Sequence, residues 1–457
     1  MKKKTNRKKW MKFRHKVVTA VAGVILSPYI RWKYGVRIDK FRQQGDRAYL
    51  VLLNHQTTFD QFFVGLSFRG PVYYVATEDI FSLGWISNVI RYIVAPIPIR
   101  KQTTDAQAVM TCLRVAREGG TIAMAPEGNR TYHGKTVYIN PAVAALAKKM
   151  KLPIAIYRIE GGYGVQPRWC DGTRKGKMRA GVREVIEPEE YLAMTNEEMY
   201  QRICKGLEVN ENCVSGEFHH KNLAQYLERA IYVCPECGLS EFESAGDLIT
   251  CKKCGKQVRY LPTRELEGVD WKCPFRFVAD WYEYQCDYVN QLNTADYVDT
   301  PLYRDRAKVS EVIVYKHKNV LREQAQIALY GDRVVLDEGQ ADGLVLPFEE
   351  VYAAAVLGRN KLNIYHNDRI YQFKGDPRFN ALKYVNIYHR NRNLSRGEEN
   401  GKFLGLQCMG LYQSAELAAC QLAGGKSAKK ICTGPEENAD PHLCAGRTDP
   451  DSGGDCL

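Results

Sequence analysis

Apolar residues along the first half of the chain fall into short continuous runs separated by longer periodic segments. Ala48–Leu53, Thr121–Ala125 and Leu152–Tyr157 are runs of strand length without polar interruption, as expected for strands buried on both faces. Between them, Thr104 to Glu118 and Pro141 to Met150 carry apolar positions at helical spacing. Alternation of the two types over residues 46–215 predicts a layered α/β domain. Residues 216–233 (His219, Leu223, Tyr226, Leu227, Ile231) are expected to form a linker helix, and 263–307 a less regular, aromatic-rich linker with Trp271, Trp281, Tyr282 and Tyr284.

From about residue 308 the texture changes to short alternating runs: 309–315, 326–330, 333–336, 351–357, 361–365 and 369–373. The turn groups Gly331-Asp332, Gly358-Arg359-Asn360 and Asn367-Asp368 separate them. An amphipathic segment from Pro377 to about Arg390 follows, with Phe379, Leu382, Val385 and Ile387 on its apolar side. Residues 308–395 thus predict a small, mainly-β barrel-like domain capped by one helix, and resemble the pleckstrin-homology and GRAM group in topology. Binding of lipid head groups and a docking role are both open on that resemblance. In the 396–457 tail, Cys408, Cys420, Cys432, Cys444 and Cys456 recur every twelve residues, but the residues between them do not repeat; a disordered segment is expected.

Charge changes the picture at the amino terminus. The chain of 457 residues has a net charge of +13, and its first 50 residues alone hold 15 Lys/Arg against 2 Asp/Glu. The remainder is balanced, which argues against a nucleic-acid surface, so no nucleic-acid partner is expected. Nine basic residues up to Lys16 precede the apolar run Val17–Leu26, which is about half the roughly 20 residues a spanning helix needs. Trp10, Tyr29, Trp32 and Tyr34 have the character of interfacial aromatics. Residues 1–45 are therefore expected to act as a basic amphipathic anchor, peripheral or monotopic, on the cytoplasmic face of a membrane bearing anionic lipid. A signal peptide is disfavoured because the small-residue triplet Ala20-Val21-Ala22 lies inside the apolar run rather than after it.

Four of the 15 cysteines form two C-x2-C pairs, Cys234/Cys237 and Cys251/Cys254, each followed by glycine. Paired knuckles at this spacing predict a closed tetrathiolate site, so residues 234–262 are expected to be a zinc ribbon holding a structural zinc. Such free thiolates also imply a reducing compartment.

Candidate chemistry sits at the end of the first buried run. Asn54-His55-Gln56-Thr57-Thr58-Phe59-Asp60 places an imidazole at a strand end and a carboxylate five residues on. Imidazole is the side chain suited to act as base near neutral pH, and a strand-to-helix turn would let Asp60 hold its tautomer. Thr57 or Thr58 is placed to cap the helix that follows. Taken alone, H-x4-D is a weak signal.

Three further blocks accompany it in order: Ala95-Pro-Ile-Pro-Ile-Arg100, then Ala125-Pro126-Glu127-Gly128-Asn129-Arg130-Thr131, then Leu152-Pro153-Ile-Ala-Ile. Together the four resemble the blocks of the glycerolipid acyltransferase family, which includes 1-acylglycerol-3-phosphate acyltransferases. The resemblance covers roughly residues 40–215. It implies an O-acyltransferase using acyl-CoA or acyl-acyl carrier protein as donor and a lysophospholipid as acceptor at a membrane surface. His55 and Asp60 are then catalytic, and Arg100, Glu127, Gly128 and Arg130 substrate-binding. Guanidinium forks suit an acceptor phosphate, and Glu127 would bond a glycerol hydroxyl or orient an arginine. Direct attack by the acceptor hydroxyl requires no cysteine nucleophile, so Cys112 and Cys170 are expected to be packing residues.

Overall fold

The computed structural model describes residues 9–82, 84–99, 105–313 and 316–397. Arg100, the lysines before Lys9 and the five evenly spaced tail cysteines lie outside them.

The first half is a mixed seven-stranded sheet with helices on both faces. Its strands are β1 (Val36–Ile38), β2 (Leu50–Leu53), β3 (Val72–Thr77), β4 (Ile97–Ile99), β5 (Thr121–Met124), β6 (Ile154–Glu160) and β7 (Met178–Ile186), in the order β1-β7-β6-β2-β5-β3-β4. β2 lies centrally, parallel to both β5 and β6; the β6–β7 pair is antiparallel. The uninterrupted apolar runs follow from that position, since the two faces feed separate cores. Val51 and Leu53 point to a cluster with Phe63, Tyr157 and Ile159, whereas Leu50 and Leu52 point to one with Val115, Ile122 and Ile156.

Five helices of this half matter for the site and its surroundings: α1 (Phe13–Tyr34), α2 (Asp60–Ser67), α3 (Trp85–Ile93), α4 (Ala106–Arg117) and α5 (Ala142–Met150). α1 extends well beyond the apolar run Val17–Leu26. It stops at Gly35, whose φ of +56° and 2.2 Å clearance between an ideal Cβ and the Gly176 carbonyl oxygen exclude a side chain. Of the four aromatics expected at an interface, Tyr29 and Trp32 are exposed, but Tyr34 is buried in the core and Trp10 is half-buried, its indole donating to the Ala95 carbonyl (3.1 Å). The amides of Trp10 and Met11 donate to the Glu118 carboxylate, so the end of the basic arm is tied to the sheet domain. No helix among the described residues is long and apolar enough to cross a membrane.

The linker helix expected over 216–233 does not form; only Leu227–Arg229 makes a short 3-10 turn. Its amides are spent elsewhere: Phe218, His219 and Ala224 donate to Pro262, Lys175 and Gly246, and Tyr226 takes a left-handed φ of +64°. Conversely, the aromatic stretch read as irregular contains a 14-residue helix, Val278–Gln291. The four-cysteine region carries an antiparallel sheet of strands 242–245, 248–251, 257–260 and 266–269.

The carboxy-terminal region is an antiparallel half-barrel of seven strands. Their order is 344–347, 333–336, 317–329, 303–313, 369–375, 361–366, 351–357, and the two end strands are not paired with each other. A helix, Ala381–Ser395, covers strands 351–357 and 361–366. One apolar cluster runs through the four-cysteine sheet, the Val278–Gln291 helix, the half-barrel and Trp169 and Tyr132 of the first half.

Candidate active site

β2 and β5 are adjacent and parallel, so the loops leaving their carboxyl ends, 54–59 and 125–131, meet where open α/β sheets commonly hold ligands. Asn54 braces the first loop: its side chain exchanges two hydrogen bonds of 2.8 Å with the Ile159 backbone of β6. His55 follows, half-buried. Its Nδ1 lies 2.7 Å from Asp60 Oδ2, and its Nε2 has no partner among the described residues.

Asp60 is the first residue of α2 and is buried. Its carboxylate also accepts from the amides of Gln56 (2.7 Å) and Thr57 (2.8 Å) and from the Thr57 hydroxyl (2.7 Å). These donors lock the orientation of the carboxylate. With Oδ2 acceptor-only, the imidazole proton is drawn to Nδ1 and the Nε2 lone pair faces away from Asp60. Neither threonine caps α2 as expected: Thr57 is committed to Asp60, and Thr58 donates from its amide and hydroxyl to Gln166 Oε1.

Glu127 joins the two loops. Its Oε1 accepts from the His55 amide and its Oε2 from the Val137 amide, each at 2.9 Å. Burial pushes its acid up to about 8, opposed by those two amides and reinforced by Asp60. Both oxygens accept from backbone amides, so Glu127 ties the His55 loop to the 125–137 segment. Gly128 turns the chain with φ +65°, its amide bonded to the Ala125 carbonyl, and an added Cβ would meet nothing.

Arg130 is buried, and its Nη1 has no hydrogen-bond partner among the described residues. Burial first, then the nearby Arg168 and Arg359, lower it to about 10. The Asp60 carboxylate acts the other way, but it is already bonded to His55, Gln56 and Thr57 and makes no hydrogen bond to Arg130, so an anionic ligand would offset the cost of the buried cation. Cys112 and Cys170 are buried packing residues, and burial pushes the Cys112 thiol up to about 12.

The geometry has the parts of a hydroxyl-activating site. The profile of the Acyltransferase family matches residues 35–159, a span that holds β2, β5, His55, Asp60, Glu127, Gly128 and Arg130. The chain carries an acyltransferase domain. Solved structures that match include the 1-acyl-sn-glycerophosphate (LPA) acyltransferase PlsC from Thermotoga maritima, with 21% identity and a TM-score of 0.37 over 43% of this chain and 80% of that one. No curated protein matches the chain.

Away from the acyltransferase domain, Cys234, Cys237, Cys251 and Cys254 place their sulfurs within 4.8 Å of one another. Cys234–Cys254 and Cys237–Cys251 are 3.7 and 3.6 Å apart. Four thiolates at a zinc–sulfur distance of about 2.3 Å in a tetrahedron sit roughly 3.8 Å apart, so the cluster fits zinc.

Sequence reasoning missed Gln166, Arg168 and Arg359. Each reaches the site region from a segment without a motif of its own, and only the tertiary fold brings them there.

Proposed function

We propose that the protein is a membrane-surface O-acyltransferase that moves a fatty acyl group from acyl-CoA or acyl-acyl carrier protein to a lysophospholipid hydroxyl, with 1-acylglycerol 3-phosphate as acceptor and phosphatidic acid as product. The observation that carries this reading is the His55–Asp60 pair, held at 2.7 Å with Nε2 left for substrate. In this scheme the acceptor hydroxyl oxygen attacks the thioester carbonyl carbon while Nε2 takes its proton. The tetrahedral adduct collapses by breaking the carbon–sulfur bond, and the imidazolium returns the proton to the departing thiolate, giving an ester and a free thiol. Asp60 stabilises the imidazolium. Arg130 takes the acceptor phosphate, with Arg100 as a second fork.

Cys234, Cys237, Cys251 and Cys254 would hold zinc as a closed structural site with no position for substrate. Contact with the bilayer is assigned to α1 and α3, which are neighbours and expose Phe13, Val24, Ile25 and Trp32 on one and Trp85, Ile86 and Tyr92 on the other. Lys9, Lys12, Arg14 and Arg91 line a pocket beside them, matching an anionic surface. The intact dyad weighs against a degenerate domain kept only for docking.

The test is acyl transfer by the full chain from labelled acyl-CoA or acyl-acyl carrier protein to a panel of lysolipids. Lysophosphatidate is expected to be the preferred acceptor. Preference for another head group would move the assignment to that lysolipid, and no transfer to any would refute it.

A further inference from the structure

The half-barrel reaches the candidate acceptor site through one turn, Gly358–Asn360, between strands 351–357 and 361–366. Arg168 of the acyltransferase domain holds it there. Nη1 of Arg168 donates to the Arg130 carbonyl (2.9 Å), while its Nε and Nη2 cross to the carbonyls of Gly358 (2.8 Å) and Val356 (3.1 Å). The Tyr132 hydroxyl adds a bond to the Arg359 carbonyl (2.6 Å), and the Arg168 guanidinium lies 4.2 Å from the centre of the Tyr132 ring. Each of these bonds ends on a neutral carbonyl oxygen, so the clamp needs neither the Arg130 nor the Arg359 side chain.

Those two side chains are the ones left incompletely paired. Arg130 Nη1 and Arg359 Nε are buried without hydrogen-bond partners among the described residues. Arg359 does contact Asp171, with Nη1 at 3.1 Å from Oδ1, but that same Oδ1 already takes Arg229 Nη1 at 2.6 Å. Three guanidinium groups, Arg130, Arg168 and Arg359, are thus gathered, with Asp171 shared at one edge and the Asp60 carboxylate, committed to His55, Gln56 and Thr57, near Arg130. Such a cluster carries more positive than negative charge, and two of its buried donors have nothing to bond among the described residues.

We propose that the Gly358–Asn360 turn completes a phosphate site, in which Arg359 Nε from the half-barrel and Arg130 Nη1 from the acyltransferase domain together bind a phosphate group of the substrate, backed by Arg168. This rests on the acyltransferase reading for the identity of the substrate. It makes Arg359 a specificity residue contributed across the domain boundary, so the half-barrel is part of the substrate site and not a separate lipid reader. The phosphate belongs either to the acceptor head group or to the coenzyme A of the donor.

Calorimetry on the full chain separates these sources. The ligands are 1-hexanoyl-glycerol 3-phosphate against 1-hexanoyl-glycerol, and coenzyme A against its 3′-dephospho form. Arg359→Ala is expected to weaken 1-hexanoyl-glycerol 3-phosphate, or coenzyme A through its 3′-phosphate, about tenfold or more, with Arg359→Lys retaining part of the affinity and the partner lacking that one phosphate unaffected. Whichever pair responds names the source. Unchanged affinity in both pairs overturns the proposal. Asp171→Asn guards against a loss that merely reflects undocking: it removes the competing carboxylate charge beside Arg359 and leaves the Nη2 bond to the Asp171 backbone carbonyl, so affinity is expected to hold or rise, and a fall matching that of Arg359→Ala would also overturn the proposal. Acyl transfer is measured separately. Phosphate affinity that depends on Arg359 in a protein without transferase activity would refute the function while leaving the site standing.

Discussion

A histidine at a strand end is held in one orientation through what its neighbours do with their donors and acceptors. Asp60 uses three donors from Gln56 and Thr57 to stay fixed, and Glu127 spends both oxygens on backbone amides to hold the His55 loop against its neighbour. The dyad was legible because its members are five residues apart and a strand-to-helix turn is all that joins them. The role of Glu127 was not, because Val137 and the His55 amide become its partners only after β2 and β5 pair. Other buried residues give the protein its response to acid. His389 is buried, and burial first, with the charges of Arg392 and Arg396 after it, lowers it to about 3 from an ordinary 6.5. In this window the unfolded chain binds the proton and the folded chain does not, so stability present above about pH 6.5 is lost as pH falls toward 3, by at most about 1.4 kcal/mol per pH unit for one proton. Glu127 and Glu211, raised to about 8 and about 7, act in the opposite sense as pH rises. Comparison with a variant therefore isolates the histidine. His389→Leu should flatten the melting temperature against pH between 6.5 and 3, and an unchanged slope would remove His389 from the acid response.

At the scale of elements, patterns of strict period were readable and patterns crowded with aromatics were not. The buried positions of the Val278–Gln291 helix, Val278, Ala279, Trp281, Tyr282, Gln285, Cys286 and Val289, follow helical spacing, yet Tyr284 and Tyr288 on its other side blur the contrast. Strand 344–347 was missed because Gly339 and Gly343 just before it read as loop. The four-cysteine segment was readable because metal ligation imposes its own spacing. Cys234 and Cys251 share an apolar cluster with Trp281 and the half-barrel, so zinc is expected to support the whole carboxy-terminal half and not the ribbon alone. Metal analysis should find about one zinc per chain. Cys251→Ser should lower both zinc content and melting temperature. Protein prepared without chelator that contains no zinc would contradict the assignment.

At the scale of the whole molecule, the architecture of an α/β domain, a cysteine-rich sheet and a β-rich region with one capping helix was legible from texture alone. Their joining was not. Arg168 and Gly358 are 190 residues apart in the chain, and nothing local in either announces the pair. The proposed membrane contact likewise draws on separate elements. Trp32 and Trp85 are 81% and 75% exposed, on α1 and α3, so Ser at both should cost little folding stability. These changes should weaken binding to anionic vesicles at high salt, where the apolar contribution remains, whereas removing residues 2–8 should weaken it mainly at low salt. Vesicle co-sedimentation checks both, and binding that ignores the tryptophans would place the apolar contact elsewhere.

The central claim is that His55, oriented by Asp60, removes the acceptor proton, and its most direct measurement is the rate of acyl transfer from acyl-CoA to lysophosphatidate by wild type and His55→Ala. A positioned general base contributes typically 10²–10⁴-fold. The variant should therefore lose at least about a hundredfold in kcat, with its melting temperature little changed because the histidine is half-buried at a loop. Near wild-type turnover in His55→Ala would contradict the account.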